Sequence, residues 1–291
     1  MRKTNVATIL SVAVATVTLA VCQANAVPIT FASGYIKDMV AGTSGPATST
    51  DPPGFASKVY YSSDACVTCA DGFAPSGVVV TPLTTYQLAS YGTVVDDVDI
   101  NSNNGLLLSP GPNNLTGTSD TGTMVLSLPS KFATLYLLDS SFVVAVGGGP
   151  GTAQNQWSAT LNFLDGNNVA SSTTYVFTDP SFTATPVDYA VTVGMATQSA
   201  PNYAEAGQTT RNLFEQALVL DVADQSKFLQ SITLNEVDFT GTSSGNRVGS
   251  QFMFLAASGD APVELPEPST LTLVALTGTG LFARMRRLIK K

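Results

Sequence analysis

Residues 157–163 read Trp-Ser-Ala-Thr-Leu-Asn-Phe, and apolar side chains alternate with polar ones through the whole stretch. An alternation of period two is typical of a β-strand with one buried face and one solvated face. Asp165-Gly166 follows as a turn signal, and residues 173–179 then read as the returning strand. The stretch therefore predicts a β-hairpin in which Trp157 lies in phase with the buried positions.

Short apolar or alternating segments separated by Gly, Pro and Asn extend this pattern over the rest of the chain. The segment 135–146 is nearly continuously apolar, and only Asp139-Ser140-Ser141 interrupts the apolar run. Only residues 222–228 suit a short helix. Many short strands with such turns are typical of an antiparallel β-sandwich or jelly roll, so we expect one all-β domain. The further predicted strands are 58–62, 78–88, 105–108, 124–128, 135–146, 189–195, 214–222, 229–237 and 251–256.

Composition excludes several kinds of function. None of the 291 residues is histidine, which rules out Ser-His-Asp and Cys-His catalysis and every histidine-ligated metal. Residues 27–266 hold six basic and twenty acidic residues, a net charge of −14. A body with this charge repels nucleic acid and anionic membrane, so we expect neither as a partner.

The first residues have the layout of a secretory signal. Arg2 and Lys3 precede an apolar run over residues 6–21, and the small-residue motif Ala24-Asn25-Ala26 follows. This order predicts cleavage by signal peptidase after Ala26, which leaves Val27 as the first residue. A lipoprotein processed at Cys22 is the alternative, but Val21 stands where a small side chain is wanted.

The last residues carry a resemblance to a known sorting signal. Pro266-Glu267-Pro268 is followed by an apolar run over residues 270–283 and by a basic tail that begins at Arg284. The basic tail favours a cytoplasmic end, with the body outside. The three features in this order resemble the PEP-CTERM signal, in which an exosortase recognises Pro-Glu-Pro and removes the tail. The resemblance implies a Gram-negative-type envelope and a habitat in which exopolysaccharide or biofilm is made.

Together the two ends predict three regions along the chain. Residues 1–26 are the signal peptide, residues 27–262 the β-sandwich ectodomain, and residues 263–291 the sorting signal with its short transmembrane helix. We expect export through the inner membrane, transient anchoring, and then a cell-surface or extracellular location. Membrane contact is expected only through the cleavable ends.

The body also resembles the extracellular sandwiches that precede such sorting signals, which look like galactose-binding-type jelly rolls. The resemblance is spread thinly and implies contact with glycans rather than any one site. The segments that carry it are Tyr86-Gln87-Leu88, Asn104-Gly105-Leu106-Leu107-Leu108, Leu135-Tyr136-Leu137-Leu138, Leu161-Asn162-Phe163-Leu164-Asp165-Gly166, Leu213-Phe214-Glu215 and Leu229-Gln230-Ser231-Ile232-Thr233.

Cys66 and Cys69 form a Cys-x-x-Cys motif. A zinc site needs about four ligands, and a thioredoxin-type site needs a helix start within a βαβ unit. In an oxidising compartment a local disulfide that pins one loop is expected instead.

Asp97, Asp99, Asn101 and Asn103 alternate in the sharpest cluster of oxygen-bearing side chains. Such a loop resembles a calcium loop, and calcium takes 6–8 oxygen ligands from loops of this kind. Gly105 is displaced from its expected place, and no Glu closes the loop. Weak calcium binding is therefore one interpretation, and a polar turn with local side-chain hydrogen bonds is the other; no other cofactor is expected.

Two further sets of side chains bear on sugar chemistry. Trp157 and the tyrosines at 60, 61, 86, 91, 175, 189 and 203 could stack on sugar rings, but Trp157 has the pattern of a core residue. Two carboxylates suffice for glycoside hydrolysis. We expect the candidates, which are Asp165, Asp179, Asp188 and Glu215, to lie at strand ends or turns, where acids cap and are solvated.

Three hypotheses for function follow. The first is a non-catalytic adhesion or matrix module associated with exopolysaccharide, with no catalytic residues. The second is a secreted carbohydrate-active enzyme, which an acid pair in a cleft would favour. The third is a purely structural envelope component. A flat, acid-poor sheet face would favour the first hypothesis.

Overall fold

The computed structural model describes residues 26–36, 40–41, 58–61, 63, 72–89, 105–108, 119–145, 154–180, 190–197, 204–237 and 247–262. The described residues up to Ala261 belong to one compact unit. Their regular structure is almost entirely β, with one short helix, which confirms the predicted all-β class. The predicted signal helix and the C-terminal transmembrane helix lie outside the described residues.

The strands run in chain order as β1 to β15, and the helix α1 lies between the thirteenth and fourteenth strands. Their bounds are β1 Val27–Ile29, β2 Phe31–Ser33, β3 Val40–Ala41, β4 Lys58–Tyr61, β5 Val78–Val80, β6 Thr85–Gln87, β7 Leu106–Leu108, β8 Ser119–Ser130, β9 Thr134–Ala145, β10 Gln154–Leu164, β11 Ala170–Pro180, β12 Val191–Thr197, β13 Ala204–Val219, α1 Val222–Gln225, β14 Phe228–Val237 and β15 Arg247–Asp260.

Two large sheets contain most of these strands. An eight-stranded sheet has the order β1-β15-β9-β13-β12-β4-β3, with β7 also paired to β15. A five-stranded sheet has the order β11-β10-β14-β8-β2, and β5 with β6 forms a two-stranded hairpin. One pair of strands departs from the predicted antiparallel arrangement, because β3 pairs with β4 in parallel.

A hydrophobic core joins the inner faces of the two large sheets. Trp157 on β10 is fully buried, and its ring centroid lies 4.4 Å from that of Phe252 on β15 and 4.4 Å from that of Phe177 on β11. The prediction that Trp157 belongs to the core is confirmed. Leu161, Leu135 and other inward residues of both sheets complete the same cluster.

The opposite face of the eight-stranded sheet carries a second core. Tyr60, Tyr86 and Phe73 pack there against Leu138 and Met253. A single strand was predicted over residues 78–88, but the segment reverses between β5 and β6. The reversal is held by Thr81 N–H donating to the Thr84 carbonyl at 2.9 Å and by Thr84 N–H donating to Thr81 Oγ1 at 3.1 Å.

The predicted turn between β10 and β11 is confirmed in detail. Asp165 Oδ1 accepts the backbone N–H groups of Asn167 and Val169, each at 2.8 Å, and Asn168 adopts φ 61°. These backbone donors lower the pKa of the Asp165 carboxyl. Asp165 therefore caps a turn, as the sequence predicted.

Two strands differ from what their local pattern suggests. The strand predicted over residues 124–128 continues past Pro129 to Ser130 in β8. The strand predicted over residues 135–146 is confirmed as β9, which runs without a break through Asp139, Ser140 and Ser141, and all three are fully buried. Tyr60 Oη lies 3.0 Å from Ser140 Oγ, so the serine is satisfied inside the second core.

Candidate functional site

The solvent-facing side of the five-stranded sheet is an array of small neutral side chains, here called the hydroxyl face. Period-two alternation along β8, β10, β11 and β14 sends the apolar residues inward and leaves the other set outward. Each outward side chain is exposed or half-buried. The set consists of Thr121, Thr123, Val125, Gln156, Ser158, Thr160, Asn162, Ser172, Thr174, Val176, Thr178, Ser231, Thr233 and Asn235.

Strand register aligns four threonines in one row across the hydroxyl face. Thr174 lies opposite Thr160, Thr160 opposite Thr233, and Thr233 opposite Thr123. The hydroxyl oxygens of Thr160 and Thr174 are 2.9 Å apart, and those of Thr123 and Thr233 are 3.0 Å apart. Cross-strand hydroxyl pairs of this kind stabilise a sheet and hold its outward groups in fixed places.

Amide side chains link this row to its neighbours. Asn162 Nδ2 donates to Ser231 Oγ and to Thr233 Oγ1, each at 3.1 Å. Thr121 Oγ1 donates to Asn235 Oδ1 at 2.7 Å on the other side of the row. The face therefore carries several local groups of hydrogen-bonded donors and acceptors.

The residues that define the hydroxyl face include no charged and no aromatic side chain. The same side of the sheet ends at the exposed ring of Phe228, which lies opposite Leu164 and has Lys131 Nζ 4.8 Å from its centroid. Solvated protein surfaces usually carry about 25–35% charged residues, so a charge-free face of this extent differs from an ordinary exposed sheet. It differs also from the body of this chain, whose net charge is −14. Such a face can exchange hydrogen bonds with a hydroxyl-rich neutral surface and does not need a counter-ion.

A second polar group, here called the carboxyl cluster, lies in the core between the two large sheets. It comprises Asp139, Asp179 and Glu236 with Asn155, and all four are at most 2% exposed. Asn155 Nδ2 donates to Glu236 Oε1 at 2.6 Å, and the Phe252 backbone N–H donates to Glu236 Oε2 at 3.1 Å. These donors satisfy the Glu236 carboxylate inside the core.

Two side chains donate to Asp179 in the carboxyl cluster. Trp157 Nε1 donates to Asp179 Oδ2, and Gln216 Nε2 donates to Asp179 Oδ1 at 2.7 Å. Among the described residues, no backbone N–H and no side chain other than that of Asp179 is placed to hydrogen-bond either carboxyl oxygen of Asp139. The Asp179 carboxyl is its neighbour in the core. Because two carboxylates side by side repel each other, we expect the Asp139 carboxyl to stay protonated and its O–H to donate a hydrogen bond to Asp179.

Burial sets the pKa values of this pair. Desolvation raises the pKa of Asp139 well above its usual range, and the charge of Asp179 raises it further. Desolvation also raises the pKa of Asp179, to about 6, although the hydrogen bonds from Trp157, Asp139 and Gln216 oppose the shift. The ionised form of the pair is therefore costly at neutral pH.

The expectation that the candidate carboxylates are solvated was wrong for two of them. Asp179 is 2% exposed and pairs with Asp139 in the core. Glu215 lies within β13, half-buried, where its Oε1 accepts the hydroxyl groups of Tyr86 at 2.7 Å and Thr81 at 2.6 Å. Each of the two carboxylates can lie buried or half-buried within its strand because hydroxyl, indole or amide groups donate hydrogen bonds to it. Asp188 lies outside the described residues.

Most residues singled out in the sequence also lie outside the described part of the chain. Ala26 and Val27 are described, and Val27 begins β1, opposite Gly259. Among the described residues no three acidic or cysteine side chains group closely enough to hold a metal ion. The residues outside are Ala24, Cys66, Cys69, Asp97, Asp99, Asn101, Asn103, Pro266, Glu267 and Pro268.

The described tyrosines belong to the packing. Tyr60 and Tyr86 are fully buried, and Tyr175 packs half-buried on the core between the large sheets. The side chains of Tyr61, Tyr91, Tyr189 and Tyr203 lie outside the described set. Among the described residues, the hydroxyl face therefore contains none of the tyrosines that could stack on sugar rings.

No protein-family model matches this chain, and no curated protein matches it. Within the part of the chain that the structure describes, no helix combines the length and the apolar character needed to cross a membrane.

Proposed function

We propose that this chain is an exported, exosortase-processed protein whose jelly-roll-type β-sandwich adheres to neutral exopolysaccharide through the hydroxyl face. The charge-free row of Thr174, Thr160, Thr233 and Thr123 is the observation that carries the proposal. The protein acts at the cell surface or in the extracellular matrix, and it has no catalytic step.

Polysaccharide adhesion follows from the chemistry of the face. Sugar hydroxyls both donate and accept hydrogen bonds, and so do the Thr, Ser, Asn and Gln side chains of the face. A single such bond contributes only about 0.5–1.5 kcal/mol, so useful affinity requires many of them along a repeating polymer. The net charge of −14 over residues 27–266 repels negatively charged polymers of uronic acids. The ligand of the face is therefore a neutral polysaccharide.

The carboxyl cluster supports the adhesion proposal over a glycoside hydrolase. A hydrolytic acid must reach the glycosidic oxygen, and its partner must reach a water molecule or the sugar. Asp139 and Asp179 are 0% and 2% exposed, and they face the core between two sheets. Their contacts suit a structural pair.

Removing two hydroxyl groups from the centre of the face is expected to weaken polysaccharide binding. For Thr160→Ala combined with Thr233→Ala, we expect the dissociation constant for a neutral glucan to rise by about tenfold or more, because two hydrogen-bonding groups are lost. Isothermal titration against a neutral glucan, a neutral galactan and a uronic-acid polymer measures the effect.

Thr85→Ala, on β6 and outside the face, is the matched control and should bind as the wild type does. Equal weakening by Thr85→Ala would contradict the assignment to the hydroxyl face. If the wild type binds no glycan at all, the protein is a structural envelope component instead.

The sorting signal gives a separate test of export and processing. Replacing Pro266, Glu267 and Pro268 with alanine should leave a membrane-bound precursor, because the exosortase recognition motif is gone. Cell fractionation with intact-mass measurement follows the product, whose first residue is expected to be Val27. Pro262→Ala with Glu264→Ala changes the same residue types just before the motif, and this variant should be processed normally. Release of the triple variant at the wild-type level would refute the sorting proposal.

A further inference from the structure

The free edge of β11 differs from the other sheet edges in the described residues. β11 ends the five-stranded sheet, and no other described strand pairs with its second side. It is paired with β10 through eleven consecutive residues, from Gln154 opposite Pro180 to Leu164 opposite Ala170, without a bulge. Its outer edge is therefore a long and regular row of backbone donors and acceptors.

The remaining edges of the two large sheets are protected by their shape. β1 has three residues and contains Pro28, which has no backbone N–H to donate. β2 has three residues, and its register shifts between Phe31 and Ser33. β3 has two residues, and β7, which pairs only with β15 among the described strands, has three. Short, bulged or proline-containing edges are the usual means by which proteins prevent edge-to-edge pairing.

Apart from Pro180 at its last position, β11 has none of these protections. It contains no Lys or Arg, and its one charged residue, Asp179, is 2% exposed. Its outward side chains are Ser172, Thr174, Val176 and Thr178, which are neutral and mostly β-branched. Such residues favour strand pairing and leave the edge available to another strand.

We propose that two copies of this chain pair edge to edge through β11, in an antiparallel manner about a twofold axis near Tyr175. A strand that pairs with its own copy forms a closed, symmetric dimer. Centred on Tyr175, the pairing sets Thr174 of one copy opposite Val176 of the other, and Ser172 opposite Thr178. No charged side chain meets another in these outward pairs.

Charge explains why a second copy would meet at this edge. Two bodies of net charge −14 repel each other over most of their surface, and neutral segments are where they approach at the lowest cost. Burial raises the pKa of Tyr175, and the charges of Asp221 and Asp224 at α1 raise it further, so two acidic groups lie near this edge. Added salt screens these charges, so we expect association to tighten with ionic strength.

The pairing has a consequence for the hydroxyl face, and this consequence alone rests on the proposed function. β11 carries one side of that face, so the dimer joins two faces into one continuous surface over ten strands. A polymer that spans both copies would bind more tightly than either copy alone allows.

The test is sedimentation velocity on the whole chain, kept in solution with a non-ionic detergent, over a wide range of concentration. The wild type should show a concentration-dependent monomer–dimer equilibrium. Val176→Lys places a positive charge on the edge in each copy, and we expect the dimer dissociation constant to rise by about tenfold or more.

Ser158→Lys is the matched control, because Ser158 lies opposite Val176 on β10 and changes the charge of the face without touching the edge. It should dimerise as the wild type does. A wild type that stays monomeric at every concentration, or equal loss of dimer in both variants, overturns the proposal.

Circular dichroism checks that each variant folds. If Val176→Lys does not fold, Thr174→Lys against Thr160→Lys repeats the comparison one pair further along. No glycan is present in this experiment, so its outcome is independent of the polysaccharide proposal.

Discussion

Replacing Trp157 with alanine is expected to lower the free energy of unfolding by about 3–5 kcal/mol. The indole is fully buried between Phe177 and Phe252, so its removal leaves a cavity between the two large sheets. It also removes the Nε1–H donor from the Asp179 carboxylate inside the core. Urea unfolding followed by circular dichroism measures the loss, because the variant lacks the only tryptophan.

Two companion variants separate the cavity from the hydrogen bond. Trp157→Phe keeps an aromatic ring but leaves Asp179 without that donor, and we expect it to cost about 1–3 kcal/mol. Val176→Ala changes a side chain on β11 that is 63% exposed, and it should stay within about 0.5 kcal/mol of the wild type. A loss for Trp157→Ala no greater than that for Val176→Ala would contradict the role of the indole.

Local patterns predicted most strands, because burial of one strand face leaves a period of two in the sequence. The core position of Trp157 followed from that period, and the hairpin followed from the period together with the Asp165-Gly166 turn signal. Residues 78–88 were misread as one strand, since the polar Thr81 and Thr84 that close the turn have ordinary strand propensity. Pro82, between these two threonines, is the turn signal in the sequence, because a proline cannot donate to a strand ladder.

The candidate site was visible only in part. The outward set of β10, with Ser158, Thr160 and Asn162, was recognisable as polar and neutral. Its alignment with Thr174, Thr233 and Thr123 depends on strand register, which is set by pairing between segments far apart in the chain. The hydroxyl face could therefore not be assembled from the sequence alone.

The buried position of Asp139 could not be predicted from the sequence, for a different reason. A charged residue inside a nearly continuous apolar run was read as an interruption, because burying a lone carboxylate is costly. The structure resolves the cost by bringing Asp139 next to Asp179, which lies on another strand and in the other sheet. A proton shared by the two carboxyls removes one charge from the pair. No local sequence pattern predicts this pairing, because the two residues lie on strands far apart in the chain.

Asp139→Asn is expected to remove much of the pH dependence of stability between about pH 5 and about pH 8. Burial and the neighbouring carboxylate raise the pKa of Asp139, and burial raises that of Asp179 to about 6. Both values lie above those of the unfolded chain, so the folded state binds protons more tightly. Wild-type stability is then full below the unfolded pKa and is lost as pH rises through the folded values.

The amide that Asp139→Asn introduces would donate a hydrogen bond to Asp179 without any proton to lose. We expect the variant to melt near the wild-type temperature at about pH 5 and above it at about pH 8, where the wild type must ionise a buried pair. The groups that face Asp139 or lie near it are Asp179, Tyr60 and Tyr86, and the two tyrosines stay neutral over this range because burial raises their pKa. Thermal melts at both pH values measure the slope.

Two further substitutions identify which carboxyl holds the proton. Asp179→Asn should cost about 1–3 kcal/mol, because an amide cannot accept from both Trp157 and Gln216 and also from Asp139. Asp165→Asn makes the same chemical change in an exposed turn, where the pKa is lowered, so it should leave the slope between about pH 5 and about pH 8 intact. If Asp139→Asn keeps the wild-type slope, or if it costs more than Asp179→Asn, the proton does not reside on Asp139 and the pair is held by another arrangement of charge.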